Sequence, residues 1–501
     1  MAPARSSNIS WVKAQSGAID IPDRNLSAND HRSVWFRHQT ALESGSRNGS
    51  KIITSVRISP PSPSSHELNF EVVKAAVRQL RFDHPAIASE FGWSAQPPAP
   101  EHAVFAYEVP DSESDIDTWL SKVVFDRTSV LLASNGDMKK AVETITYDLG
   151  NPDSNGGPIF ILQYIPAPSH NGQHSLVFFL NHSVFDAIGA FQIMDLCLSK
   201  IADSLSTGGK RRPLLWGEET SRLPPALAES ARMPSTADKM PEDEVIIQNI
   251  KDSLHSLQNT HWHKLPIPHP HSPPSATGVV TRIVSPDVLS TLRTTARAHG
   301  CTIFSILWAA MALSSVRVRS PDDTTNVTLP FFHSPIDIRP LACDDRYDRA
   351  QWMVRLSLGF NAYVADDLGR FVRSESNGNG DDSQQLAEDV TPSKWYPILS
   401  SIGVMDKYLA RSHPIATGGQ LTVDSPRLSP TFCSAFMGGC LALHAFTWEG
   451  ELMLAFSFPE GVMGSAQDQA IALNEGRDGD AIGLQFINEF MNILDVTSQS
   501  K

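Results

Sequence analysis

Cysteine is scarce in this chain. There are five in 501 residues: Cys197, Cys301, Cys343, Cys433 and Cys440. The number is odd, the spacing is wide and no C-x-x-C occurs, which argues against a disulfide scaffold and predicts reduced thiols in a cytoplasmic protein. Basic charge is also short. Lys and Arg number 41 against 55 Asp and Glu, a net charge of -14. The one compact basic run is Lys210-Arg211-Arg212, too little for a nucleic-acid-binding face. A local basic rim remains compatible with an anionic cofactor. Long apolar runs are missing too: Ile303 to Val316 is interrupted by Ser305, Ser314 and Ser315, short of the ~20 residues a bilayer helix needs. The first residues, MAPARSSNISWVKAQSG, contain no apolar core of secretory type. No G-x-S-x-G and no internal repeat occurs, which argues against an α/β-hydrolase nucleophile elbow.

What is present reads as an ordinary globular balance, 41% hydrophobic and 19% charged, in two or three domains. Apolar residues at helical spacing predict helices over Phe70 to Leu80, Ala187 to Leu205 and Gly483 to Leu494; Pro286 to His299 is a helix candidate, and the Ala and Leu content of Thr302 to Val316 predicts a buried helix. Strand patterns fall at Ala103 to Val109, Pro158 to Tyr164, Ser175 to Leu180, Gly278 to Val284 and Val327 to Asp337. Cys440 to Phe446 and Glu451 to Phe458 read as a hairpin around Thr447-Trp448-Glu449-Gly450. The expected class is α+β in two halves: an N-terminal lobe over 1–205, a linker or long loop over 206–244 rich in Pro, Gly and charge, and a C-terminal lobe over 245–501. Ser374 to Thr391 is polar and predicts disorder.

The densest chemical signal is SLVFFLNHSVFDAIG, Ser175 to Gly189. An apolar strand ends in a loop carrying His182 and Asp186, and an amphipathic helix follows. A neutral imidazole there would accept a hydroxyl proton at physiological pH. Asp186 is placed to cap the helix. A loop histidine beside an N-cap is the competing reading. A metal site would need both residues on one helical face, and His182 precedes the helix. Arg339, in Ile336-Asp337-Ile338-Arg339-Pro340, is a candidate fork for the Asp186 carboxylate, with Asp337 as competitor. His261, His263, His269 and His271 alternate with prolines, which predicts an extended Pro/His loop in preference to a metal site. Thr447, Trp448 and Ser457 are candidates to border a cavity and hold an oxyanion; Asn181 and Gly189 flank the His–Asp pair as further candidates.

These segments, in this order, resemble the chloramphenicol-acetyltransferase-like superfamily. Arg81-Phe82-Asp83-His84-Pro85-Ala86-Ile87 is similar to its early "RHPAL" segment, and His182 to Asp186 to its H-x-x-x-D. Trp216-Gly217-Glu218-Glu219 with Leu223-Pro224-Pro225 resembles a stretch of its fungal members. Thr302 to Leu313, Pro335 to Pro340, Ser400 to Val404 and Leu441 to Phe458 also fit. The fungal trichothecene-type O-acetyltransferases are the nearest group. The plant BAHD signature D-F-G-W-G is missing, Asn181 stands where condensation domains carry a first His, and Ala187 stands where a Gly commonly follows the Asp. The resemblance implies two lobes meeting at a tunnel, His182 as base and Asp186 as a structural aspartate. It implies a monomeric acyl-CoA-dependent O-acyltransferase acting on a small alcohol of secondary metabolism, with no metal and no tightly bound cofactor. Its alternatives are a condensation or cyclisation catalyst fed by a carrier protein, or a silent binding module.

Overall fold

The computed structural model describes residues 12–15, 33–38, 51–61, 67–93, 103–150, 158–167, 172–182, 184–224, 277–318, 329–337, 358–365, 398–431, 441–459 and 482–499. The strands are β1 (Val12–Gln15), β2 (Ser33–His38), β3 (Lys51–Ser59), β4 (Glu90–Trp93), β5 (Ala103–Glu108), β6 (Val124–Asp126), β7 (Phe160–Ile165), β8 (His174–Asn181), β9 (Thr277–Val284), β10 (Leu329–Asp337), β11 (Leu358–Ala365), β12 (Ile398–Val404), β13 (Ser412–Pro414), β14 (Gln420–Thr431), β15 (Ala442–Trp448) and β16 (Glu451–Pro459). The helices are α1 (Phe70–Asp83), α2 (Glu113–Val123), α3 (Thr128–Ala133), α4 (Met138–Gly150), α5 (Ala187–Ser206), α6 (Pro286–Ala298), α7 (Ile303–Val318) and α8 (Ile482–Gln499). The chain is thus α+β, and it divides into two units. Unit 1 holds Met1–Pro234, Asp337–Leu358 and Met405–Thr431; unit 2 holds the rest.

Unit 1 is built on a six-stranded sheet of order β13-β14-β3-β8-β7-β6. Strand β8 is buried along its length up to Asn181, which is why Leu176 to Leu180 reads as an unbroken apolar run rather than an alternation. Alternate side chains, Val177 and Phe179, join Ile53, Ile165, Ala141 and Ile145 in one cluster under α3 and α4. Helices α1 and α5 pack on each other and α5 lies on β3. A second sheet of order β1-β2-β5-β4 belongs to the same unit.

Two features of unit 1 depart from the sequence reading. Residues 206–224, expected as a linker or long loop, form a loop with one 3-10 turn (Glu218–Arg222) that docks on unit 1. Trp216 meets the Phe82 ring edge-on at 5.4 Å and donates to Glu113 at 3.2 Å. Arg222 donates twice to the Phe82 carbonyl, at 2.6 and 3.0 Å. Buried Glu219 accepts from the Tyr107 hydroxyl at 2.9 Å. Polar composition disguised this docking because its anchors are ion pairs and hydrogen bonds rather than an apolar stripe. Residues 225–244 lie outside the described residues, as do Ser374 to Thr391 and the His261–His271 segment. Second, the chain returns: β14 pairs antiparallel with β3 over 360 residues earlier in sequence, with a register shift between Asp424 and Arg427. Ser425 there takes φ +48, and Pro426 falls inside the irregularity. A bulge tolerates proline where a regular ladder does not.

Unit 2 carries a sheet of order β12-β15-β16-β9. Leu443, Ala445, Leu454, Phe456 and Val280 on one face pack with Leu292 of α6, Met311 of α7 and Phe490 of α8. The β15–β16 hairpin closes as expected. Glu449 and Gly450 both take positive φ, +51 and +85, the two-residue turn whose twist suits paired strands. No single described helix is long and apolar enough to cross a membrane.

One buried histidine in unit 1 links structure to pH. The Nδ1 of His174 accepts the Ala167 N–H at 3.1 Å and lies 2.9 Å from the Tyr164 hydroxyl, which also donates to the Leu68 carbonyl. An atom accepting an N–H cannot itself carry a proton, so this arrangement requires the neutral ring. Burial pushes the His174 pKa down to about 4, with Glu67 opposing. The unfolded chain therefore binds the proton more readily between pH ~6.5 and ~4. The stabilisation is complete above the unfolded pKa and is lost as pH falls towards 4, on the order of 3 kcal/mol. Urea unfolding from pH 7.5 to 4.5 should show a steeper acid loss in the wild type than in His174→Gln; parallel curves would contradict this.

Candidate active site

The end of β8 determines the geometry of the site. Asn181 pairs with Lys51 across the ladder, and its N–H donates to the Ile159 carbonyl at 2.9 Å. Its carbonyl then accepts from both Val184 and Phe185, at 3.0 and 3.1 Å. Two donors on one oxygen force the chain to turn at His182. Phe185 is fully buried and Val184 nearly so, so apolar anchors hold the turn on its far side. Asn181 thus acts here through its backbone.

Asp186 is the N-cap of α5, with φ -99 and ψ 180. It is fully buried. Its Oδ1 accepts the Gly189 N–H at 2.7 Å, and its carbonyl accepts from Ala190 at 2.8 Å. A carboxylate at this end is favoured both as acceptor and by the helix dipole. The N–H of Gly189, a substrate or oxyanion candidate from the sequence, is engaged by the Asp186 carboxylate. Ala187 opens the helix without a positive φ.

His182 retains some accessible surface, while its Nδ1 is buried and makes no hydrogen bond. Burial lowers its pKa below the ordinary value; the backbone carbonyls of His182 and Phe185 and the Asp186 carboxylate act the other way. The neutral ring therefore dominates at pH 7. Sequence reasoning missed Lys51, which sits opposite Asn181. It is buried, donates to the Leu149 carbonyl at 3.2 Å and lies over the Phe179 ring at 5.9 Å. A lysine opening a strand gives no signal that it will be enclosed.

The remaining candidates behave differently. Arg339 lies outside the described residues; Asp337 closes β10 and is partly exposed. Thr447, Trp448 and Ser457 lie in unit 2 and do not form one cluster. Ser457 pairs with Ala442 and Thr447 with Leu452, five residues apart along the strand, about 17 Å. By strand alternation Thr447 shares the face of Leu443 and Ala445, towards the helices, while Trp448 and Ser457 take the other face. Ser457 is buried and directs its hydroxyl to the Ala442 carbonyl at 3.5 Å. The sequence offered all three as residues bordering a cavity at the hairpin, without the strand alternation that separates them. No group of three His, Cys, Asp or Glu among the described residues is arranged to hold a metal.

The fold has relatives among solved structures. The TRI3 trichothecene 15-O-acetyltransferase of Fusarium sporotrichioides superposes with a TM-score of 0.67 at 14% identity, over 92% of this chain and 95% of that one. Polyketide synthase associated protein 5 of Mycobacterium tuberculosis gives 0.54 at 14% identity, covering 92% and 98%. The starter condensation domain of rhizomide synthetase RzmA, in complex with C8-CoA, gives 0.52 at 12%, covering 92% and 95%. No protein-family model matches, and no curated protein matches. The chain therefore has the chloramphenicol-acetyltransferase-like fold shared by acyltransferases and condensation domains. Within that class the trichothecene acetyltransferase aligns better than the other two.

The cap can be tested on its own. Asp186→Ala should cost about 1–2 kcal/mol of unfolding free energy. Asp186→Asn should cost less, because the amide oxygen can still accept from Gly189. Equal stability of wild type and the alanine variant in denaturant titrations would contradict the capping role.

Proposed function

We propose that the protein is an acyl-CoA-dependent O-acyltransferase of secondary metabolism, transferring an acetyl or longer acyl group to a hydroxyl of a small natural product. The observation that carries this reading is His182: an imidazole kept neutral by burial, at a turn fixed by Asn181 and by the buried Asp186 cap. The fold likeness to an O-acetyltransferase and to a domain in complex with C8-CoA supports the reaction type and the donor.

In this mechanism one ring nitrogen of His182 takes the acceptor's hydroxyl proton. The alcohol oxygen attacks the thioester carbonyl, and the tetrahedral intermediate collapses with expulsion of the CoA thiolate. The imidazolium returns its proton to that sulfur. No acyl-enzyme forms, so no serine or cysteine nucleophile is required. Asp186 serves as a positioning residue, and Arg339 is proposed as its partner. Acyl-CoA is a co-substrate rather than a bound cofactor. A carrier-protein thioester is the alternative donor, suggested by the condensation-domain neighbours.

His182→Ala should retain the fold by circular dichroism and lose about 10²–10⁴-fold in turnover, measured as CoA release with a panel of acyl-CoAs and alcohols. Full activity in that variant would reject the role. The sign of the pH effect follows from the lowered pKa. The neutral form is active, so the rate should stay level as pH falls to 6.5 and decline only below it; a decline already complete above pH 7 would contradict this.

A further inference from the structure

We propose that unit 1 carries a second ligand site: an oxyanion cleft that takes the phosphate groups of a phosphorylated small molecule. The cleft has a volume of about 140 Å³ and lies between α1, the last turns of α5 and the Lys210-Arg211-Arg212 run. Its lining includes five cations, Arg78, Lys200, Lys210, Arg211 and Arg212, against one acid, Asp203. This concentration occurs in a chain of net charge -14, so it runs against the composition.

Three of the five cations are held in place. Arg78 is buried, donating to Glu113 at 2.9 Å and to the Arg212 carbonyl at 2.9 Å. Arg211 pairs with Asp117 at 2.6 Å, and Lys200 with Asp83 at 2.7 Å. Glu113, Asp117 and Asp83 are not part of the lining; each pairs with one of these cations, and Arg211 and Lys200 keep further N–H donors. Lys210 and Arg212 are exposed and have no acidic partner among the described residues. The α5 terminus does not oppose an anion with bare carbonyls. The Ser204 and Leu205 oxygens already accept from Thr207, Gly208 and Gly209. Gly209, at φ +76, sits so close to α1 that a Cβ would lie 3.4 Å from Val72, which docks the segment that presents Lys210. Several fixed guanidinium and ammonium donors from separate elements suit a multiply charged phosphate better than a single carboxylate.

The cleft is remote from the His–Asp turn. Lys200 lies 14 residues beyond Asp186 on one helix, about 21 Å along its axis. The proposal therefore stands independently of acyl transfer, although coenzyme A is one phosphorylated molecule to compare.

Calorimetric titration of the full chain with inorganic pyrophosphate and, separately, with CoA tests it. Pyrophosphate should bind the wild type, more weakly as salt rises. Affinity should fall by at least about tenfold in Lys210→Glu/Arg212→Glu, both exposed positions, and should rise in Asp203→Asn. Parallel loss of CoA affinity would assign the phosphate to the donor; unchanged CoA affinity would assign it to another phosphorylated molecule. No pyrophosphate binding by the wild type, or equal binding by wild type and both variants, overturns the proposal.

Discussion

A single buried carboxylate ties the two halves of the His-containing loop together. Asp186 is fully enclosed, yet it is satisfied at the one place on α5 where backbone donors lack helical partners, accepting from Gly189 at 2.7 Å. Five residues earlier, the Asn181 carbonyl gathers two N–H groups and ends β8. The strand stop and the helix start are therefore only five residues apart. His182 has little freedom between them. The turn's position depends on hydrogen bonds to backbone, with Phe185 packed underneath, rather than on the histidine itself.

Burial then sets the chemistry. Protein around His182 disfavours its charged form more than Asp186 and the two nearby carbonyls favour it. A general base must be unprotonated at rest and still basic enough to draw a proton in the transition state. In the proposed role, burial lowers the imidazole's pKa and keeps it neutral at rest, and the Asp186 carboxylate favours the transient cation. His174 lies on the same strand and is also depressed, but its Nδ1 is consumed by Ala167 and it stacks on Tyr164 at 5.7 Å. Two histidines whose pKa burial lowers thus flank β8, one locked into the fold at its start and one in the turn that follows it.

Much of the frame was legible in the sequence, for physical reasons that can be named. The α1, α5 and α8 stripes repeat at helical spacing. The Glu449-Gly450 turn lies between two apolar runs, and the cap at Asp186 stands immediately before an amphipathic segment. What escaped was non-local or polar. The β14–β3 pairing joins segments hundreds of residues apart around a proline-containing bulge. The docking of 206–224 relies on Trp216, Glu219 and Arg222 in a stretch whose composition reads as a linker. In the candidate site, the His–Asp pair could be read because cap chemistry is local. The hydrogen bonds of Gly189 and Ser457 could not, because they depend on which partner the fold supplies.

The central claim is that His182 rests as a neutral imidazole in the native protein. Titration of the 15N-labelled histidine ring signals by NMR, with His182→Gln used for assignment, tests it most directly. The account predicts a His182 midpoint below 6.5 and a neutral ring at pH 7. A midpoint above 7, with the ring cationic at neutral pH, would contradict it.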